Sequence, residues 1–157
     1  MATQTAVPKT GREARQAIRE GRLHRPTSGV APHFVQANLA ILPRDVAFEF
    51  LLFCQRNPKP CPVIEVIDAG QVEAALTAPG SDIRTDLSLY RVFKNGELVD
   101  EPENLEAYWR DDLVSFLPGC SYSFEYALIA NGIDLPHYGT RSEEHTAELQ
   151  AQAHLRL

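Results

Sequence analysis

The sequence predicts an α+β fold, a mixed sheet with packed helices, on three observations. Thr10 followed three residues later by Glu13 makes a capping box that opens a helix. Asn95-Gly96 between two apolar runs is the strongest short-range signal for a β-hairpin. Apolar runs of strand length, such as Val63 to Ile67, stand beside longer runs of helix length, with no internal repeat or low-complexity tract.

Residues 1 to 9 show little periodicity and read as a loose N-terminus. The helix opened by Thr10 should run to about Glu20, where Gly21 can take the left-handed stop conformation. Arg25 to Pro32 is a turn-rich loop in which Pro26 fixes one dihedral and Gly29 frees another. Phe34 to Leu42 reads as a buried strand ended by Pro43, with Gln36 and Asn38 on one face and Val35, Ala37, Leu39 and Ile41 on the other. Asp45 then suits the positive end of a helix that runs on through Phe48, Phe50, Leu51, Leu52 and Phe53. That helix is apolar nearly all round, which predicts a central position.

Asn57-Pro58-Lys59-Pro60-Cys61-Pro62 cannot continue a helix and forms a stiff loop. Val63 to Ile67 is a short strand closed by the turn Asp68-Ala69-Gly70, and Leu89 to Phe93 pairs with Glu97 to Val99 across the Asn95-Gly96 turn. Trp109 to Leu117 is apolar-rich and leaves helix and strand both open. Ser121 to Ala130 is a helix with Asn131-Gly132 as its stop.

The chain has 157 residues, 44% hydrophobic and 23% charged, which supports one modest core in one domain or part of one. No apolar run approaches the roughly eighteen residues that span a bilayer, and the N-terminus lacks an apolar signal core. A soluble cytoplasmic protein that engages no membrane is expected. The net charge is −6, yet Lys9, Arg12, Arg15, Arg19, Arg22 and Arg25 face only Glu13 and Glu20 in the first 25 residues. This basic excess could draw in an anionic substrate, although arginines solvating the outer face of a surface helix are the commoner explanation. Nucleic-acid binding is not expected, because the rest of the chain is acidic and carries no aromatic-and-basic reading motif. Cys54, Cys61 and Cys120 are odd in number and lack the spacing or His pair of a zinc knuckle, so reduced thiols and no structural zinc are expected.

Four places could carry chemistry. Gly119-Cys120-Ser121 opens a helix, where free backbone N–H groups could hold a carboxylate or oxyanion and a thiol tends to a lowered pKa. Glu125, about one turn along, could face the same site as a base, with Ser123 beside it. The plainer explanation is a buried Cys beside an ordinary serine cap. In Asp82-Ile83-Arg84-Thr85-Asp86, Arg84 could clamp a carboxylate while Asp82 or Asp86 accepts a proton; the alternative is a loop whose Arg and Asp pair with each other. Gln36 and Asn38 could orient a small polar substrate, or form a satisfied pair beneath the Pro-Thr-Ser-Gly loop. Arg25, Thr27 and Ser28 are a weaker anion site.

Residues 25 to 62, RPTSGVAPHFVQANLAILPRDVAFEFLLFCQRNPKPCP, together with the blocks Asp82 to Asp86 and Gly119 to Glu125, resemble the signature of the hydro-lyase family that includes D-glutamate cyclase. The resemblance runs from about Thr10 to about Ile133, whereas members of that family are roughly twice as long. It implies an incomplete domain: residues 10 to 140 as the N-terminal part of a hydro-lyase-like domain. His33 stands where the family often has Gly, which marks it as incidental, and the family's Arg-His pair is here Pro136-His137.

The implied activity is that of a hydro-lyase on a small amino or hydroxy acid, with D-glutamate cyclisation to 5-oxo-D-proline as its best-defined form. For that reaction Arg84 would clamp the α-carboxylate, Glu125 or Asp82 would act as base, and the Gly119 to Ser121 backbone would steady the oxyanion; a thioester through Cys120 is a variant. Asp86, Gln36, Asn38, Thr27, Ser28 and Ser123 would bind substrate. No cofactor is expected, a divalent-metal requirement stays open, and the partner is a small-molecule carboxylate. The alternatives are a small-carboxylate-binding protein without turnover and an inactive fragment.

From Arg141 the chain reads RSEEHTAELQAQAHLRL, which resembles translated sequencing adapter. Residues 141 to 157 are therefore set aside as a non-native tail, the alternative being a natural polar helix over EEHTAELQAQAHL.

Overall fold

A computed structural model describes residues 7–135 and the backbone of residues 153–156. Along the chain lie α1 (Gly11–Arg19), β1 (Leu39–Pro43), α2 (Arg44–Arg56), β2 (Val63–Ile67), β3 (Tyr90–Lys94), β4 (Glu97–Asp100), a 3-10 turn at Glu106–Tyr108, β5 (Leu113–Pro118), α3 (Tyr122–Ala130) and β6 (Ala153–Arg156). The strands form one six-stranded sheet in the order β2-β5-β1-β6-β3-β4. β5 runs antiparallel to β1 and β2, and β3 to β4, while β6 is parallel to both β1 and β3. The fold is α+β with a mixed sheet.

The local signals act as their chemistry requires. Thr10 Oγ1 accepts the Glu13 N–H at 3.1 Å while the Glu13 carboxylate accepts the Thr10 N–H, the reciprocal capping box. Asn95 and Gly96 both hold positive φ, 53° and 86°, the backbone of a tight turn whose twist matches the strands it joins. Gly70 combines φ 76° with close approach: a Cβ there would meet the Asp111 carbonyl at 3.1 Å. The Gly70 N–H donates to the Leu113 carbonyl, which docks this turn on the start of β5.

One face of the sheet carries the main core. Leu39 and Ile41 of β1, Ile67 of β2, Tyr90 and Val92 of β3 and Leu113 of β5 are buried there beneath Ala74, Ile83 and Leu105 from the connecting segments. The other face receives α2, which packs on β1 and β5 and sets Phe50 edge-on against Phe116 at 4.9 Å. A separate small cluster of Ala14, Ala17, Leu23, Val30 and Ala31 ties α1 to the loop that follows it.

Two expectations need correction. The strand read from Phe34 begins only at Leu39, and Val35, assigned to the buried face, is 74% exposed. The stretch before it is held by single contacts, an isolated bridge from Ala37 to Gly119 and the Asn38 N–H on the Pro118 carbonyl at 2.7 Å, which do not amount to a ladder. α2 is not central: Ala47 and Cys54 are its buried residues, whereas Phe48 and Phe53 are 66% and 52% exposed. Trp109 to Leu117, left open between helix and strand, resolves into a turn and the strand β5. Residues 153–156 form β6, so positions 153 to 155 of the alternative polar helix are extended; its earlier residues lie outside the described ones. No helix among the described residues is long and apolar enough to cross a membrane.

Candidate functional site

A cleft of about 620 Å³ opens between α1, the segment 26–37 and the segment 74–88, with Ile64 and Leu117 of the sheet on its wall. Apolar side chains dominate its surface, and Arg15, Thr27, Gln36, Asp86 and Ser88 are among the polar groups that reach it. Such a cavity, apolar with a few convergent polar groups, is the usual form of a small-molecule site.

One buried carboxylate ties two walls of the cleft together. Asp86, with its side chain 3% exposed, receives Arg19 through both Nε and Nη2, the latter at 2.8 Å, and the Asp82 backbone N–H at 2.8 Å. Arg15 Nε approaches the same carboxylate at 3.5 Å. Arg15 and Arg19 lie four apart on one face of α1, so a single aspartate fixes that helix over the 82–86 turn. Asp86 beside Arg19 raises the guanidinium above its already high ordinary value. Two of the basic residues read as solvating a surface face are therefore drawn inward. The local basic excess was visible in the sequence, but a partner 67 residues away from Arg19 leaves no local pattern.

The 82–86 turn is otherwise locally bound. Arg84 forks onto Asp82, Nε to Oδ1 at 2.9 Å and Nη2 to Oδ2 at 2.7 Å, and the Arg84 N–H also donates to Asp82 Oδ1. Burial alone would raise the Asp82 pKa, but the hydrogen bonds and charge of Arg84 outweigh it and hold the carboxyl below its ordinary range. Ile83 enters the core, and the buried Tyr90 hydroxyl donates to the Ile83 carbonyl and accepts the Leu87 N–H. Neither Asp82 nor Arg84 lines the cleft; Asp86 does.

Gln36 links the cleft to the second block. Its Nε2 donates to the Thr27 and Val30 carbonyls at 3.1 and 3.3 Å, and its Oε1 accepts the Thr27 hydroxyl at 2.7 Å. The amide thereby closes the Pro-Thr-Ser-Gly loop, within which Ser28 is buried and Arg25 exposed. Its backbone meets α3: the Gln36 N–H donates to Ser123 Oγ at 2.8 Å, and the Gln36 carbonyl accepts the Cys120 N–H at 3.1 Å. Asn38 lies beyond it, half-buried, and does not line the cleft.

At the start of α3 the Gly119 N–H donates to the Pro62 carbonyl at 2.8 Å, so the N–H groups of Gly119 and Cys120 both go to main-chain carbonyls. Ser121 is exposed, and its hydroxyl does not cap the helix. The Cys120 thiol departs from the lowered pKa expected at a helix start: burial pushes it up, and the Glu125 charge adds to the rise. Glu125 is buried within electrostatic reach of that thiol. His33, exposed at the cleft mouth, meets the Tyr126 hydroxyl at 3.3 Å, whereas His137 lies outside the described residues. Among the described residues no group of three or more His, Cys, Asp or Glu side chains is placed to hold a metal ion.

No family model matches the chain. It is 53% identical over 132 residues to a Geobacillus kaustophilus protein, an alignment covering 84% of this chain and 50% of that one. It is 52% identical over 126 residues to a Bacillus subtilis protein, covering 80% and 49%, and 59% identical over 128 residues to one from Azorhizobium caulinodans, covering 82% and 47%. Each of the three carries the name "Putative hydro-lyase". The chain spans about half the length of the curated relatives it matches.

Proposed function

Because the chain belongs to this hydro-lyase family, we propose that it forms the substrate-binding half of a lyase acting on a small amino or hydroxy acid. The finer reading is cyclisation of D-glutamate to 5-oxo-D-proline and water. The cleft behind Arg15 supports it. Arg15 approaches Asp86 at 3.5 Å, a longer contact than the 2.8 Å one Arg19 makes through Nη2, and it lines the cleft. A guanidinium loosely held by a buried carboxylate, on the wall of an apolar cavity, is suited to anchor a substrate carboxylate.

In the cyclisation the amine attacks the side-chain carboxyl, a carbon–nitrogen bond forms, and one carboxyl oxygen departs as water with protons from the ammonium. The reaction asks for an anion clamp, a base and oxyanion donors. Arg15 suits the clamp better than Arg84, whose fork is spent on Asp82. Asp82, whose lowered pKa makes it a weak proton acceptor at neutral pH, suits the base poorly, and Glu125, buried in the first turn of α3 and outside the cleft lining, is the other candidate. With the Gly119 and Cys120 N–H groups committed, oxyanion donors would come from Ser121 and from the half of the family polypeptide that this chain does not span. The same commitments favour a second reading, in which this chain alone binds a small carboxylate without turning it over.

The test pairs two proteins. The Bacillus subtilis relative, incubated with D-glutamate and with L-glutamate, should yield 5-oxoproline from the D isomer by chiral chromatography; no dehydration product from any small amino or hydroxy acid would exclude the lyase reading. This chain should bind D-glutamate by calorimetry, and Arg15→Gln should weaken binding by about tenfold or more while leaving the melting temperature almost unchanged. Equal affinity with and without Arg15 would return the clamp to Arg84. Unchanged turnover after Cys120→Ala, in a single chain joining this half to the rest of the relative, would exclude the thioester.

A further inference from the structure

We propose that the α2 side of the sheet is the seat of the other half of the family polypeptide. The inference rests on family membership and not on the reaction. From Val46 to Cys54 the α2 sequence is apolar at every position but Glu49, more than one packed stripe needs. Among the described elements α2 packs on β1 and β5. Phe48, Leu51 and Phe53 stand exposed on the rest of the helix.

The uncovered surface continues onto the sheet. Val66 of β2 is in register with Phe116 of β5, and Phe116 touches Phe50 of α2, so Val66 lies on the α2 side. It is exposed as well. Apolar side chains scattered singly over a surface need no explanation, whereas a band of large ones on one helix and the neighbouring strand marks an interface. The opposite face needs no such cover, since the segments around Ala74, Ile83 and Leu105 close it over the main core.

The length of the relatives points to what covers it. This chain accounts for 50% or less of the three relatives described, so each has a further length of polypeptide comparable to the whole of this chain. A segment of that size, packed against α2 and Val66, would give α2 the buried surroundings its sequence calls for.

The test co-expresses the full chain with the half of the Bacillus subtilis relative that it does not match, followed by size-exclusion chromatography with light scattering. A one-to-one complex is expected, weakened by about tenfold or more by Phe48→Asp and by Val66→Asp and indifferent to Leu98→Asp on β4, with circular dichroism melts checking that each variant folds. A complex unaffected by the first two substitutions overturns the proposal, as does a homodimer of this chain through the same residues that persists beside the other half. Should the other half be insoluble alone, the two are joined by a protease-cleavable linker, and halves that separate after cleavage also overturn it. Activity is not read, so failure of the lyase reading leaves this outcome intact.

Discussion

Asp82 and Asp86 lie in the same turn and both meet arginines, yet Asp82 is tied to a residue two positions along and Asp86 to one 67 positions upstream. Asp82 keeps its side chain 26% exposed, whereas Asp86 is sealed. The difference lies in what folding changes. A pair two residues apart can meet in the unfolded chain too, so folding gains little from it. The contact of Asp86 with Arg19 exists only when α1 docks, and it is this contact that places Arg15 on the cleft wall.

The largest expected effect is at the long-range tie. Asp86→Ala leaves Arg19 and Arg15 without their carboxylate and the Asp82 N–H without its acceptor, and should cost about 2–3 kcal/mol in urea unfolding. It should also weaken carboxylate binding, because α1 loses its anchor. A cost below about 0.5 kcal/mol would mean that the small cluster around Ala17 and Val30 holds α1 unaided.

A middle case sharpens the comparison. Glu65, buried on β2, accepts the Leu76 and Thr77 N–H groups and the Thr77 hydroxyl, 11 and 12 residues along. Burial alone would raise its pKa, but these donors outweigh it and hold the carboxyl below 4.5. A depressed folded pKa gives stability that is present above the unfolded value and lost as pH falls through the folded one. Glu65→Gln should therefore cost about 1–2 kcal/mol at neutral pH and remove part of the steepness of acid unfolding below pH 4.5. Parallel acid-unfolding curves for the variant and the parent would show that Glu65 takes no part.

What the sequence disclosed follows the same division by distance. The Thr10 capping box, the Asn95-Gly96 turn and the strand Val63–Ile67 are written in adjacent residues, and the structure has them where the pattern puts them. Gln36 was legible as important because of its place beneath a turn-rich loop, but not as the link to Ser123, 87 residues on. The Asp86 tie, the exposure of α2 and the entry of residues 153–156 between β1 and β3 depend on which distant segments meet. No periodicity encodes that, and for α2 the pattern describes surroundings that this chain does not itself supply.

The smallest expected effect tests the comparison most directly. Asp82→Ala should cost less than about 1 kcal/mol, the range of a partly exposed pair formed within a turn. Its lowered pKa gives a contribution that is present above the ordinary value of 3.8 and lost as pH falls through the folded value, so the variant should differ from its parent less in acid than at neutral pH. Double-mutant cycles then set the two pairs side by side. Coupling of Asp82 to Arg84 should fall below about 0.5 kcal/mol, and coupling of Asp86 to Arg19 should exceed about 1 kcal/mol. Equal couplings would mean that Asp82 and Arg84 meet no more readily in the unfolded chain than Asp86 and Arg19 do, and separation along the chain would cease to explain why one aspartate anchors α1 while the other only completes its own turn.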